Sequence, residues 1–176
     1  SRGAEVILVS GPVTLKEHHP NIRRIDVESA EEMYEEARRA YTDADAGILC
    51  AAVADFTPDH TADHKIKRGK DGMTIQLKPT KDIAASLGAT KKEGQVLVGF
   101  ALETNDEQQN AKGKLERKNF DFIVLNSLND KGAGFRVDTN KISIIDRQDT
   151  TSYPLKNKSE VAKDIIDRLV QTLNKN

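Results

Sequence analysis

The chain has 176 residues, of which 37% are hydrophobic and 31% charged, with 27 basic and 28 acidic side chains and a net charge of -1. This length is typical of one domain around a single core. The balanced charge argues against bulk electrostatic binding of nucleic acid, and no apolar run approaches the length of a membrane span. A soluble protein is therefore expected, and the single Cys50 fits a cytoplasmic location.

The chain opens with a predicted strand and a predicted helix. Val6–Val9 form an apolar, β-rich run that ends at Ser10-Gly11-Pro12, which predicts a buried strand and a turn. Ser29 followed by Glu32 forms a capping-box pattern, and apolar residues then recur at helical spacing as far as Tyr41.

A second apolar run, Ala46–Val53, lacks polar alternation and predicts a strand covered on both faces. Cys50 within it is interpreted as an inert core thiol. Asp55 follows directly, where parallel sheets direct side chains toward a ligand, although a turn or helix-cap aspartate is the alternative.

Residues 59–81 are polar and predict an arm or flap that stands off the sheet. Asp71-Gly72 precedes the alternating segment Thr74–Lys78, a pattern typical of a hairpin. The arm carries a basic cluster that either binds phosphate oxygens or is solvated surface: Lys65, Lys67, Arg68 and Lys70. His60 and His64 lack a zinc signature, so no metal site is expected.

The second half of the chain alternates between helices and strands. The first expected elements are a helix Asp82–Leu87 stopped by Gly88, a strand Val96–Phe100, and a helix that is capped by Asn105 and runs to Lys118. A strand Phe122–Leu125, a glycine-containing loop over 126–134 and a strand Lys141–Ile145 follow. The last helix is expected after the capping pair Asn157 and Glu160, with an apolar stripe of Val161, Ile165, Leu169 and Leu173. Lys114 and Lys118 share a helix face, which either holds an anion or is solvated.

This order predicts an α/β fold, Rossmann-like and doubly wound, with a mostly parallel sheet and a protruding β-hairpin arm. Ligands of such sheets bind beyond the carboxyl ends of the strands, so the residues after Val53, Phe100 and Leu125 are candidates. The sequence contains no G-x-G-x-x-G, P-loop or G-x-S-x-G motif. These absences disfavour an NAD-binding oxidoreductase, a P-loop NTPase and a serine hydrolase.

Several segments, taken together in order and spacing, resemble bacterial phosphopantothenoylcysteine synthetase, also called phosphopantothenate-cysteine ligase. That enzyme is commonly the C-terminal domain of a bifunctional coenzyme A biosynthesis flavoprotein. The similarity runs from Gly3 to about Leu173 and rests on Val9–Pro12, Cys50–Phe56, Lys65–Arg68, Pro79–Ile83, Gly99–Thr104 and Lys118–Asp121.

The resemblance implies a CTP-dependent ligation of 4'-phosphopantothenate with cysteine through an acyl-cytidylate, with Mg²⁺ accompanying the nucleotide. It also implies a homodimer in which the arm reaches the partner, and fusion or association with a phosphopantothenoylcysteine decarboxylase. The residues alone do not distinguish CTP from ATP. A non-catalytic CTP-binding module is the alternative function.

The resemblance also implies the residues of the nucleotide site. Leu49, Cys50, Ala51 and Asp55 would line the base and ribose pocket, and Phe100 would pack against the nucleotide. Phosphate contacts would come from Lys65, which is the expected catalytic residue, and from Lys114 and Lys118. The segment Lys81, Asp82, Ile83, Ala84 would offer backbone N–H groups at a helix start.

Two departures from the family accompany this resemblance. The family's earlier strand, its Ser/Asn/Gly-rich loop and a helix do not precede Gly3 in this sequence, so the expectation is a single ligase domain, 1–176, that lacks them. Pro79-Thr80-Lys81-Asp82-Ile83 stands where many relatives have Asn-Pro-Asp-Ile.

Overall fold

The computed structural model describes residues 3–15, 17–67, 72–103, 106–127 and 137–175. In chain order its elements are β1 (Val6–Ser10), β2 (Ile22–Asp26), α1 (Ala30–Tyr41), β3 (Ala46–Leu49), β4 (Phe56–Pro58), β5 (Leu77–Pro79), α2 (Ile83–Thr90), β6 (Val96–Glu103), α3 (Glu107–Arg117), β7 (Phe122–Ser127), β8 (Thr139–Asn140), β9 (Ile142–Asp146), β10 (Thr150–Ser152), β11 (Lys156–Asn157) and α4 (Lys158–Leu173). They form two compact units, Ser1–Ala37 with Ala51–Asp82, and Arg38–Cys50 with Ile83–Asn176. None of these helices is long and apolar enough to cross a membrane.

In the first unit, β1 and β2 form a parallel pair, with Val6 opposite Ile22 and Ser10 opposite Asp26. The predicted strand is confirmed, but its expected burial is wrong, because Val6 and Ile7 are each 41% exposed. The physical reason is that a sheet of two strands cannot cover both faces of an apolar run, and β1 pairs with one strand in the described part of the chain.

The capping box at the start of α1 is confirmed. The backbone N–H of Glu32 donates to the Ser29 hydroxyl at 3.1 Å, and the Ser29 N–H donates back to the Glu32 carboxylate at 3.1 Å. The N–H of Glu28 also donates to this carboxylate, at 2.7 Å. These backbone hydrogen bonds, from Glu28 and then Ser29, lower the pKa of Glu32.

The structure describes a short antiparallel pair at the base of the expected arm. β4 pairs antiparallel with β5, with Phe56 opposite Pro79, whereas 60–67 and 72–76 are exposed and form no regular element. Thr74–Ile75 are therefore not in a strand, contrary to expectation, because no described strand lies beside them to pair with. Arg68, Lys70 and Asp71 lie outside the described residues.

The second unit has a five-stranded sheet of order β10-β9-β7-β6-β3, in which β3, β6 and β7 are parallel and β9 and β10 antiparallel. This confirms an α/β fold with a parallel central sheet and adds an antiparallel edge. The core between the sheet and α4 contains Val96, Val98, Phe122, Val124, Ile142, Ile144, Val161 and Ile165.

The last helix follows its sequence pattern. Asn157 and Glu160 form the expected capping box of α4, and Leu169 and Leu173 continue the apolar stripe against the core. The expected cap of α3 falls on Asn105, which lies outside the described residues; the N-cap position is Asp106. The expected loop over 126–134 is described only at Asn126 and Ser127, which belong to β7.

Gly88 does not stop α2, contrary to expectation, since the helix continues to Thr90. The glycine serves close packing instead. A Cβ on Gly88 would lie 2.0 Å from the carbonyl oxygen of Lys118 at the end of α3.

Candidate nucleotide site

The carboxyl ends of the parallel strands β3, β6 and β7 lie along one edge of the second unit's sheet. Leu49, the last residue of β3, is opposite Gly99 on β6, so Cys50 and Phe100 are the next residues along this edge. Open α/β sheets bind their ligands at such edges. The structure therefore brings together three residues of the expected site, Leu49, Cys50 and Phe100.

Asn126 lies at the same edge, directly after Leu125, where the sequence predicts ligand contacts without assigning this residue a role. It pairs with Leu102 of β6, two residues beyond the pair of Phe100 and Val124, so it faces the same side of the sheet as Phe100. Its Oδ1 atom is buried and has no hydrogen-bond partner among the described residues. A buried carbonyl oxygen normally has a donor, so this atom is suited to accept one from a ligand. The signal in the sequence was a polar residue ending an apolar strand.

Cys50 is exposed, which corrects its interpretation as a core thiol. The strand that was expected to continue through Val53 ends at Leu49, so Cys50 follows the strand instead of lying within it. The exposed position leaves this residue accessible at the edge of the sheet.

In the first unit, Asp55 precedes β4, and its backbone is bound by Thr80. The N–H of Thr80 donates to the carbonyl oxygen of Asp55 at 2.9 Å, and the Thr80 hydroxyl donates to the carbonyl oxygen of Ala54 at 2.7 Å. The residue is exposed, so its carboxylate is accessible to solvent and to ligands.

Lys81 is bound within the first unit by α1. Its ammonium group pairs with the Glu31 carboxylate, lies 3.5 Å from Glu35 Oε1 and sits 4.7 Å from the centre of the Tyr34 ring. The hydrogen bond to Glu31 raises the pKa of Lys81, which therefore remains charged. Because this side chain is engaged, any nucleotide contact at Lys81 falls to its backbone.

The other expected phosphate ligands are distributed along both units. Lys65 is exposed in the arm. Lys114 lies in the last turn of α3 and Lys118 is its C-cap residue, where positive charge stabilises the helix dipole. Asp121, three residues later, donates its N–H to the Leu97 carbonyl at the start of β6, at 2.8 Å. Leu97 lies about 10 Å along β6 from Phe100, toward the amino ends of the strands, and the phosphate role of Lys118 stays a prediction.

The segment Lys81–Ala84 leads into a helix as expected, with α2 starting at Ile83. Lys81 and Asp82 belong to the first unit, and Ile83 and Ala84 to the second.

Ala51 follows β3 and is exposed. Among the described residues, no group of three or more His, Cys, Asp or Glu side chains is placed to hold a metal ion.

Comparison with known proteins relates this arrangement to one family. The family model of the DNA/pantothenate metabolism flavoprotein C-terminal domain matches residues 1–173. The coenzyme A biosynthesis bifunctional protein CoaBC of Bacillus subtilis strain 168 is 44% identical over 95% of this chain and 41% of its own length. A cysteine/cysteine sulfinic acid decarboxylase of an unknown prokaryotic organism is 57% identical over 96% of this chain and 47% of its own length. The chain thus spans less than half of these relatives.

A solved structure agrees with this relationship. The crystal structure of the C-terminal domain of a CoaBC protein superposes with a TM-score of 0.81 and 33% identity, and the match covers 99% of this chain and 77% of that one. The flavoprotein structure from Streptococcus pneumoniae shares the fold at 19% identity, with a TM-score of 0.80. This chain belongs to the family of DNA/pantothenate metabolism flavoprotein C-terminal domains.

Proposed function

We propose that this domain acts in coenzyme A biosynthesis as a phosphopantothenate-cysteine ligase that consumes CTP. Support comes from the names of the CoaBC relatives and from the resemblance of the sequence motifs. The observation that carries the proposal is the group of residues at the carboxyl ends of the parallel strands, Cys50, Phe100 and Asn126, the last with a buried Oδ1 atom that has no hydrogen-bond partner in the described part of the chain.

The proposed reaction has two steps. A carboxylate oxygen of 4'-phosphopantothenate attacks the α-phosphorus of CTP, which forms a P–O bond and releases pyrophosphate. The amine nitrogen of cysteine then attacks the acyl carbon, loses a proton and releases CMP. Both steps concentrate negative charge on phosphate oxygens, so fixed positive side chains accelerate them.

Each residue has a proposed role in this reaction. Phe100 packs against the nucleotide, and the Asn126 carbonyl oxygen accepts a hydrogen bond from an N–H or O–H group of the ligand. Asp55 accepts hydrogen bonds from ribose hydroxyls. Lys65 stabilises the phosphate charge, helped by Lys114 and Lys118. Leu49, Cys50 and Ala51 line the base pocket, and the backbone of Lys81 to Ala84 contacts the nucleotide.

Mg²⁺ is proposed to arrive with the triphosphate. Proteins usually hold this ion through one or two carboxylates together with substrate phosphates. The described residues supply no cluster of three ligands, so they do not form a cage of their own for it. When bound, the ion neutralises phosphate charge.

Two partner proposals follow from the same reasoning. The ligation product keeps the carboxylate of cysteine, which is the group that a decarboxylase removes. We therefore propose fusion to, or association with, such an enzyme, in line with the decarboxylase named among the relatives. A homodimer is proposed from the exposed apolar residues of the arm, among them Ile66, Met73 and Ile75.

Asp55→Ala is expected to weaken CTP binding by about tenfold to a hundredfold, because a hydrogen bond to a charged group is lost. The melting temperature should change little, since the carboxylate is exposed. Calorimetric titration with CTP measures the affinity. Asp59→Ala, which removes an exposed carboxylate of the arm, is the matched control and should bind CTP normally.

Equal losses of stability and affinity in Asp55→Ala would make the residue structural. CTP binding by the full-length protein without any turnover would favour the alternative, a non-catalytic nucleotide-binding module.

A further inference from the structure

The two peptide groups that flank Asp55 are both held by one residue, Thr80. The Ala54 carbonyl belongs to the peptide before the Asp55 Cα and accepts from the Thr80 hydroxyl at 2.7 Å. The Asp55 carbonyl belongs to the peptide after it and accepts from the Thr80 N–H at 2.9 Å. With both peptide planes bound, the backbone dihedrals of Asp55 are restrained, and so is the direction of its Cα–Cβ bond.

Thr80 is itself fixed from both sides in the chain. On one side the β4–β5 ladder pairs Phe56 with Pro79, which brings Thr80 beside Asp55. On the other side Lys81 is held by Glu31 and lies over the Tyr34 ring. The donor groups of Thr80 are therefore anchored to α1 as well as to the base of the arm.

The side chain of Thr80 suits this task. Threonine is branched at Cβ, so its χ1 angle is restricted and its hydroxyl has few alternative directions. A short bond of 2.7 Å to a carbonyl oxygen is a well-formed O–H···O hydrogen bond. Residues 51–54 have no regular secondary structure. The hydrogen bond from the Thr80 hydroxyl therefore holds the Ala54 carbonyl oxygen where no β-sheet hydrogen bond does so.

We propose that Thr80 is a positioning residue that orients Asp55 toward the nucleotide; the proposal rests on the proposed function. Thr80 acts through the backbone of Ala54 and Asp55 and does not itself touch the ligand. Loss of its hydroxyl frees the peptide between these two residues, so the Asp55 carboxylate spends less time in the orientation that binds. Binding then weakens while the fold remains.

The test compares Thr80→Val with Thr80→Ser in the full-length protein. Valine matches threonine in shape and keeps the backbone N–H bond, but it removes the hydroxyl bond to Ala54. We expect Thr80→Val to weaken CTP binding about fivefold to tenfold in calorimetry, as for one lost hydrogen bond. Thr80→Ser keeps the hydroxyl but lacks the β-branch that restricts χ1, so it is expected to bind CTP more tightly than Thr80→Val.

A double-mutant cycle with Asp55→Ala separates positioning from a merely structural role. When the carboxylate is absent its orientation no longer matters, so Thr80→Val is expected to leave the remaining CTP affinity of Asp55→Ala unchanged. An equal loss in both backgrounds would overturn this inference, as would CTP binding by Thr80→Val that matches the unaltered protein. Failure of the unaltered protein to bind CTP would overturn the proposed function and this inference together.

Discussion

Asp121→Ala is expected to lower the free energy of unfolding by about 3–5 kcal/mol, the usual cost of removing one partner of a buried ion pair. The Lys91 ammonium lies 3.0 Å from Asp121 Oδ2, and the two side chains are only 11% and 15% exposed. The same carboxylate oxygen accepts the Leu97 N–H at 2.6 Å. The substitution therefore leaves the strand N–H of Leu97 without its acceptor and removes the charged partner of Lys91, whose ammonium keeps its hydrogen bond to the Asn119 carbonyl oxygen at 2.9 Å.

Urea unfolding monitored by circular dichroism measures this loss. The matched control is Asp59→Ala, since Asp59 and Lys78 form a more exposed pair at 3.6 Å and such pairs contribute about 0–1 kcal/mol. Asp121→Asn keeps an acceptor for Leu97 and should fall between the two. A loss in Asp121→Ala no larger than in the control would contradict the structural role assigned to this ion pair.

Gly88→Ala is expected to destabilise the protein by about 3 kcal/mol, at the upper end of the usual cost of overpacking. The added Cβ would stand 2.0 Å from the Lys118 oxygen and 2.8 Å from its carbonyl carbon, both of them backbone atoms. A real Cβ cannot occupy that space unless α2 and the end of α3 separate. Helix propensity alone gives the opposite sign, since alanine is favoured over glycine by about 1 kcal/mol within a helix.

The sign of the change in stability therefore decides between packing and propensity. Thermal and urea unfolding of Gly88→Ala and of Gly72→Ala provide the comparison, because a Cβ on Gly72 meets nothing within 4 Å. Gly72→Ala should stay within about 0.5 kcal/mol of the unaltered protein. Stabilisation by Gly88→Ala would show that α2 and α3 do not approach as closely as described.

Much of the fold follows from local sequence signals. Ser29 with Glu32, and Asn157 with Glu160, determine where two helices start because their side chains bind the first N–H groups of the helix. The apolar runs at β6, β7 and β9 predict three strands of the sheet, whereas the antiparallel direction of β9 is seen only in the structure. These patterns depend on a few adjacent residues, which is why the sequence alone predicts them.

The sequence-based predictions that were wrong concern properties that depend on distant parts of the chain. Whether Cys50 or Val6 is buried depends on which elements cover them, and residue type does not report this. A glycine in the sequence is compatible both with the end of a helix and with the close approach of another backbone. For Gly88, only the position of the Lys118 backbone distinguishes the two roles.

The candidate site was predicted in part. The order of strands and helices places Leu49, Cys50 and Phe100 at one edge, as the parallel register requires. The position of Asn126 after Leu125 was predicted as a candidate, but its buried Oδ1 atom, which has no hydrogen-bond partner among the described residues, is visible only in the structure. Thr80 likewise gains its role only once β4 and β5 pair and bring it beside Asp55.

The proposed activation of the acid is the attack of its carboxylate on the α-phosphorus of CTP, with Lys65 stabilising the phosphate charge. Pyrophosphate release by the full-length protein, measured with CTP and 4'-phosphopantothenate present together and with each omitted, tests it most directly. Pyrophosphate release is expected only when both are present, and Lys65→Ala is expected to abolish it. Orthophosphate in place of pyrophosphate, or unchanged release by Lys65→Ala, would contradict it.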